Sequence, residues 1–150
     1  MIQFQLDIVR TPTGFFKLCE IALTMITLCV GEGTKDFFYS FSHHRSFFCA
    51  GVLMISMVIT PLFFVTYFLG YSRHVQQTPL EVMYNGVVLC FMVSAGGILL
   101  HTFCTRPGMD LPFTDAGKTV ASFCLINSIF YGVDLFFAYQ AMMVHTDLPN

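Results

Sequence analysis

Apolar residues dominate four long stretches of the chain, and each stretch is interrupted by a few polar residues at helical spacing. The stretches cover about residues 14–31, 47–71, 82–103 and 119–144. Each is near or above the roughly 20 residues that an α-helix needs to cross a bilayer. The pattern predicts an all-α membrane protein, a four-transmembrane-helix bundle with antiparallel neighbours and short loops, formed by residues 1–150 as a single domain.

The first stretch carries a polar stripe. Its interrupting residues recur at steps of three, four, three and four, so on a helix they share one face: Lys17, Glu20, Thr24, Thr27 and Gly31. A charge inside hydrocarbon costs a few kcal/mol on insertion scales. This face is therefore predicted to contact other helices or a cavity instead of lipid.

The fourth stretch has a matching polar row that contains Asn127, Tyr131 and Asp134. If the chain crosses the membrane four times, Lys17, Glu20 and Asp134 lie at comparable depths. The sequence therefore predicts an intramembrane polar cluster of Lys17, Glu20, Asn127 and Asp134, in which Lys17 pairs with one of the two acids. Three interpretations stay open at this point: a structural cluster, a transported ion or proton, or a carboxyl group kept neutral.

The third stretch presents a stripe of small residues. Gly86, Cys90, Ser94 and Gly97 recur at steps of four, four and three, and His101 follows four residues later. Small residues let helix backbones approach closely, which favours association where no hydrophobic force drives helices together. The stripe is therefore predicted to be a packing face.

Two regions with proline need separate treatment. Pro61 lies near the middle of the second stretch, and Ser56 and Thr60 before it are predicted to bond backbone carbonyls that the proline leaves free. Residues 105–118 contain two prolines and two glycines and are predicted to form a turn-rich loop without regular structure.

Composition narrows the class of protein. The chain is 55% hydrophobic and 11% charged, with a net charge of −2, values typical of an integral membrane protein that has no nucleic-acid partner. Six cysteines occur without a CxxC pair, which argues against thiol redox chemistry and a zinc site, so we expect no cofactor and no metal. A disulfide among Cys29, Cys49 and Cys104 remains open beside free cysteines.

The entry into the first stretch resembles that of a known family. Arg10, Thr11, Pro12 and Gly14, followed by Glu20 early in the helix, are similar to the MARVEL-domain family of four-span membrane proteins, of the myelin-and-lymphocyte or chemokine-like-factor type. The resemblance implies a non-enzymatic protein with cytosolic termini in the plasma membrane or a vesicle membrane. It also implies a role in membrane apposition, vesicle trafficking or junction and fusion sites, through lateral packing with lipids, other membrane proteins or further copies of the chain.

Basic residues do not indicate an orientation. Three of them, Arg10, Lys17 and Arg73, fall on the predicted side of the termini, against four on the other side. The alternative function is a small channel, transporter or oligomeric pore that uses the intramembrane polar residues, with His101 among them. An intramembrane redox enzyme is disfavoured because the sequence has neither a dithiol nor a histidine-rich cluster.

Overall fold

The computed structural model describes residues 11–34, 43–71, 75, 78–105 and 111–146, and within these ranges it contains four long helices and no strand. The helices are α1 (Pro12–Gly33), α2 (His43–Thr66, continued by a π-helical turn over Tyr67–Tyr71), α3 (Pro79–Thr105) and α4 (Leu111–Thr146). Each contains a segment long and apolar enough to cross a membrane. The predicted fold class is confirmed, and the protein is a multi-pass integral membrane protein.

The helices form a closed ring. Helix α4 packs most extensively on α3 and also on α1, while α2 contacts α1 and α3. Side chains such as Leu53, Met92 and Val120 fill the apolar part of the interior. The outer surface is also apolar, as Val58 and Ile129 are 61% and 65% exposed. Apolar residues both inside and outside the bundle are what a helix bundle in lipid requires.

Local signals explain where two of the helices begin and end. Thr11 caps α1, because its Oγ1 accepts a hydrogen bond from the Gly14 amide at 3.3 Å. Pro12 follows in the first turn, where a missing amide hydrogen costs nothing. In the last turn of α2, Gly70 adopts a φ of 87°, a left-handed conformation that glycine reaches without strain, and the helix ends one residue later, at Tyr71.

The start of α4 corrects the predicted loop over residues 105–118. The helix begins at Leu111, so the second half of that segment is helical. Pro112 is compatible with helix in the first turn, and the sequence signal of a turn was therefore ambiguous. Gly117 is buried against Phe103 of α3, where an added Cβ would overlap the aromatic ring. The glycine at position 117 thus allows α4 to pack closely against α3.

The small-residue stripe of α3 does not pack within the chain. Cys90, Ser94 and Gly97 are exposed, and Gly86 is only partly buried. The buried face of α3 instead contains Glu81 and Asn85, together with apolar residues farther along the helix. Exposing a carboxyl or amide group to lipid costs more than exposing glycine or serine, so the polar pair determines which side of α3 faces inward.

Close approach of α3 and α4 occurs one residue from the stripe, at Gly96. A Cβ added there would lie 2.8 Å from Leu125 Cγ and 3.1 Å from the Ala121 carbonyl oxygen. An added Cβ at Gly97 would meet nothing within 4 Å. Gly96, and not Gly97 of the stripe, is therefore the glycine that allows α3 and α4 to pack closely.

The remaining expectations have mixed outcomes. All six cysteines are free. In α2, neither Ser56 nor Thr60 bonds the carbonyl four residues before Pro61: the Ser56 hydroxyl donates to the Val52 carbonyl at 2.8 Å, and Thr60 bonds to two tyrosine hydroxyls. The helix continues through Pro61 as far as Thr66.

Substituting the two neighbouring glycines tests this packing. We expect Gly96→Ala to be less stable than Gly97→Ala by about 1–3 kcal/mol, because only the first forces Leu125 to move. Both positions are helical, so the gain in helix propensity is shared and cancels in the comparison. Unfolding in detergent, followed by circular dichroism, measures the difference. Equal stabilities would contradict the close approach at Gly96.

A buried polar cluster as the candidate functional site

Lys17 is the centre of a polar cluster inside the bundle. The stripe of α1 faces inward, and the Lys17 side chain is 0% exposed. Its Nζ lies 2.6 Å from Asp134 Oδ2, 2.7 Å from Asn85 Oδ1 and 3.2 Å from Glu20 Oε2. These contacts connect α1 to α3 and α4, so a single ammonium group joins three helices.

Asn85 completes this arrangement. Its Oδ1 accepts from Lys17, and its Nδ2 donates to Asp134 Oδ2 at 2.8 Å. The amide therefore uses one atom for the cation and the other for the anion, and it crosses the bundle from α3 to do so. Asp134 Oδ2 receives two donors, one of them charged, and charge-assisted bonds of this kind are the stronger ones.

Aromatic rings surround the Lys17 ammonium group on its other sides. Nζ is 5.8 Å from the ring centroids of Phe63 and Tyr84 and 5.6 Å from that of Tyr131. A cation near ring faces gains about 0.5–2 kcal/mol, with the upper value for desolvated sites. The rings also separate the charge from the surrounding lipid.

The tyrosines extend the network to α2. Thr60 Oγ1 lies 2.9 Å from the Tyr84 hydroxyl and 2.7 Å from that of Tyr131. Because Tyr84 is on α3 and Tyr131 on α4, this threonine connects α2 to both. All four helices are therefore joined by hydrogen bonds between side chains, in an interior that offers no water to replace them.

A contact between an acid and a tyrosine lies near the same end of the bundle. The Tyr67 hydroxyl, in the π-helical turn after α2, donates to Glu81 Oε1 in the first turn of α3. Both side chains are 0% exposed. The start of α1, the end of α2, the start of α3 and the end of α4 lie at the same end of the bundle, so Tyr67 and Glu81 belong to the same polar cluster as Lys17.

The structure brings three of the four predicted cluster residues together. Glu20 and Asp134 contact Lys17, whereas Asn127 donates to Thr24 Oγ1 at 2.9 Å, one turn farther along α1. His101 is exposed and lies 20 residues beyond Glu81 on α3, about 30 Å away along the helix.

Sequence reasoning missed Tyr67, Glu81 and Asn85. Glu81 lies one residue before the predicted third span, which begins at about residue 82. A signal did exist, because Glu81 and Asn85 are four residues apart and therefore share one helix face.

Four buried side-chain oxygens lack a hydrogen-bond partner. They are Glu20 Oε1, Glu81 Oε2, Asn127 Oδ1 and Asp134 Oδ1. Buried acceptors without donors are costly and uncommon in folded proteins. Over the ranges that the structure covers, no three His, Cys, Asp or Glu side chains are placed to hold a metal ion. The arrangement can bind protons, because it presents oxygen acceptors and contains more acidic than basic side chains.

Comparisons with known proteins do not assign the chain to a family. No family model, no curated protein and no solved structure matches the chain. The fold and the cluster define the class by themselves: a four-helix, multi-pass integral membrane protein whose helices are connected through a buried ionic centre.

Removing the buried cation tests the role of the centre. We expect Lys17→Met to lower the free energy of unfolding by about 3–5 kcal/mol, because it leaves Asp134 without its ion-pair partner. Lys118→Met is the matched control, since Lys118 is exposed on α4 and its replacement is expected to change stability by less than about 0.5 kcal/mol. Unfolding in mixed detergent micelles measures both. Similar losses for the two variants would exclude a stabilising ionic centre.

Proposed function

We propose that the protein is a non-enzymatic organiser of membranes that acts by lateral packing with lipids and other membrane proteins. Membrane apposition, vesicle trafficking and junction or fusion sites are the settings that the resemblance to MARVEL-domain proteins suggests. One observation carries the proposal: the charged groups of the cluster are sealed inside, while the small-residue stripe of α3 faces outward.

The exposed stripe supports association with neighbours in the membrane. Cys90, Ser94 and Gly97 lie along one outer face of α3, where they leave a shallow surface between larger side chains such as Phe91 and Leu100. Small residues permit close contact with a second helix or with a lipid chain. Within the described chain, no helix fills this surface.

A crevice continues the stripe toward the end of α3. It has a volume of about 280 Å³ and is lined by Arg45, Gly97, Ile98 and His101. Arg45 lies in the first turn of α2 and His101 in the last turns of α3, so both are near the same face of the membrane. A basic group at the mouth of an apolar crevice suits a lipid with an anionic headgroup.

Blocking the stripe tests this proposal. We expect Ser94→Leu to change the set of proteins captured by proximity labelling in cells, because the larger side chain removes the shallow surface. Ser122→Leu is a matched control, since both serines are exposed and both donate to the carbonyl four residues earlier at 2.8 Å. A wild-type label set without vesicle or junction proteins, or one unchanged by Ser94→Leu, would contradict the proposal.

The alternative function, a small channel, transporter or oligomeric pore, is favoured by a different observation. The cluster has unpartnered oxygens on Glu20, Glu81 and Asp134, all of them buried inside a membrane protein. Ionisable residues inside a membrane frequently mark ion or proton pathways. This candidate requires that ions cross the bilayer, which the organiser does not.

Flux through reconstituted protein separates the two functions. The organiser predicts no ion or proton flux into proteoliposomes. The pore predicts a flux that Asp134→Asn abolishes and that Asp115→Asn, at an exposed acid of α4, leaves unchanged. Absent flux, or flux that is equal in Asp134→Asn and the wild type, would eliminate the pore.

A further inference from the structure

The charges of the buried cluster do not balance. Four side chains that are ordinarily charged at neutral pH are 0% exposed: Lys17, Glu20, Glu81 and Asp134. One positive and three negative groups give a net charge of −2 when all are ionised. The other basic side chains that the structure describes, namely Arg45, His101 and Lys118, are exposed. They therefore do not supply the missing positive charge.

An uncompensated charge in this environment is expensive. A charged side chain in a membrane-spanning helix costs about a few kcal/mol on insertion scales, and a deeply buried carboxylate without a partner commonly takes up a proton instead. A proton also needs no additional volume, which suits a cluster that is already enclosed. Two bound protons make the cluster neutral.

The contacts indicate which carboxyl groups hold these protons. Asp134 has the shortest contact with Lys17 and also accepts from Asn85, so it is the acid whose charge is best compensated. Glu20 shares the lysine at the longer distance of 3.2 Å and has no second donor; like Asp134, it has one oxygen without a partner. Glu81 receives only the neutral Tyr67 hydroxyl, and its other oxygen is also unpartnered.

We infer that the buried cluster is a binding site for two protons, held by Glu20 and Glu81, with Asp134 ionised beside Lys17. Every helix contributes groups that face the site. These groups are Lys17 and Glu20 from α1, Tyr67 from α2, Glu81 and Tyr84 from α3, and Tyr131 and Asp134 from α4. The tyrosines are neutral and Lys17 is the single cation among them, so this set supplies no alternative to the protons.

The inference is independent of the proposed function. An organiser would use the bound protons to keep its interior neutral, and a pore would pass them on. The location of the protons is the same in both cases. The experiment below measures protonation and not activity, so its failure and the failure of the proposed function are distinguishable.

The small number of glutamates allows the inference to be tested by NMR spectroscopy. The chain has three glutamates, Glu20, Glu32 and Glu81, and Glu32 is exposed near the end of α1. Labelling the side-chain carboxyl carbon of glutamate with ¹³C therefore gives three resonances from the unmodified full-length protein in lipid nanodiscs. A protonated carboxyl carbon and an ionised one resonate at different positions.

At neutral pH we expect two of the three resonances at the protonated position and one, from Glu32, at the ionised position. Glu20→Gln and Glu81→Gln each remove one protonated signal, whereas Glu32→Gln, the matched control, removes the ionised one. Fewer than two protonated glutamates in the wild-type protein overturns the inference, and this readout does not depend on whether any variant folds.

Discussion

The contact between Lys17 and Asp134 is the constraint on which the bundle depends. A lysine in the first membrane-spanning helix must reach an anion, and its partner at 2.6 Å belongs to the last helix. Asn85 then brings α3 to the same point, because its amide satisfies both charged groups at once. In lipid the hydrophobic effect does not distinguish one apolar helix face from another, so packing and polar contacts decide how the helices are rotated and aligned. A buried ion pair adds little net stability compared with apolar packing, but breaking it is costly, and alignments that separate the pair are therefore disfavoured.

The general architecture could be predicted from sequence, because it depends on properties that act locally. The length and apolar character of four stretches indicate four crossings, and the spacing of Lys17, Glu20 and Thr24 identifies the inward face of α1. The rotation of α3 could not be obtained in this way, since that helix carries two competing stripes. One consists of small residues, and the other begins with Glu81 and Asn85. Glu81 lies just before the predicted third span, so the cost of exposing its carboxyl group to lipid, which turns this stripe inward, did not enter the prediction. The same limit applies to Tyr67, whose position follows from the π-helical turn at the end of α2.

Burial of the polar face has a consequence for the outer surface. With Glu81 and Asn85 turned inward, Cys90, Ser94 and Gly97 must face outward, because they lie on another side of the same helix. The internal charge pairing and the exposed small-residue surface are therefore two results of one rotation of α3. Gly96 and Gly97 illustrate the division: a Cβ at the first would press on Leu125, and a Cβ at the second would meet no atom of the chain. A shallow outer surface is thus compatible with a closely packed interior.

The number of acids in the cluster argues for a site that does more than hold helices together. A lysine and one aspartate would connect α1 and α4 at no net charge, and Asn85 would complete the hydrogen bonds. Glu20 and Glu81 add two further carboxyl groups, each with an oxygen that has no partner. As carboxylates they would weaken the bundle through uncompensated charge, and as neutral acids they add little that glutamine could not supply. What distinguishes a buried glutamate from glutamine is its ability to gain and lose a proton. The proton binding that we infer accounts for the two additional acids, whereas helix association alone requires neither of them.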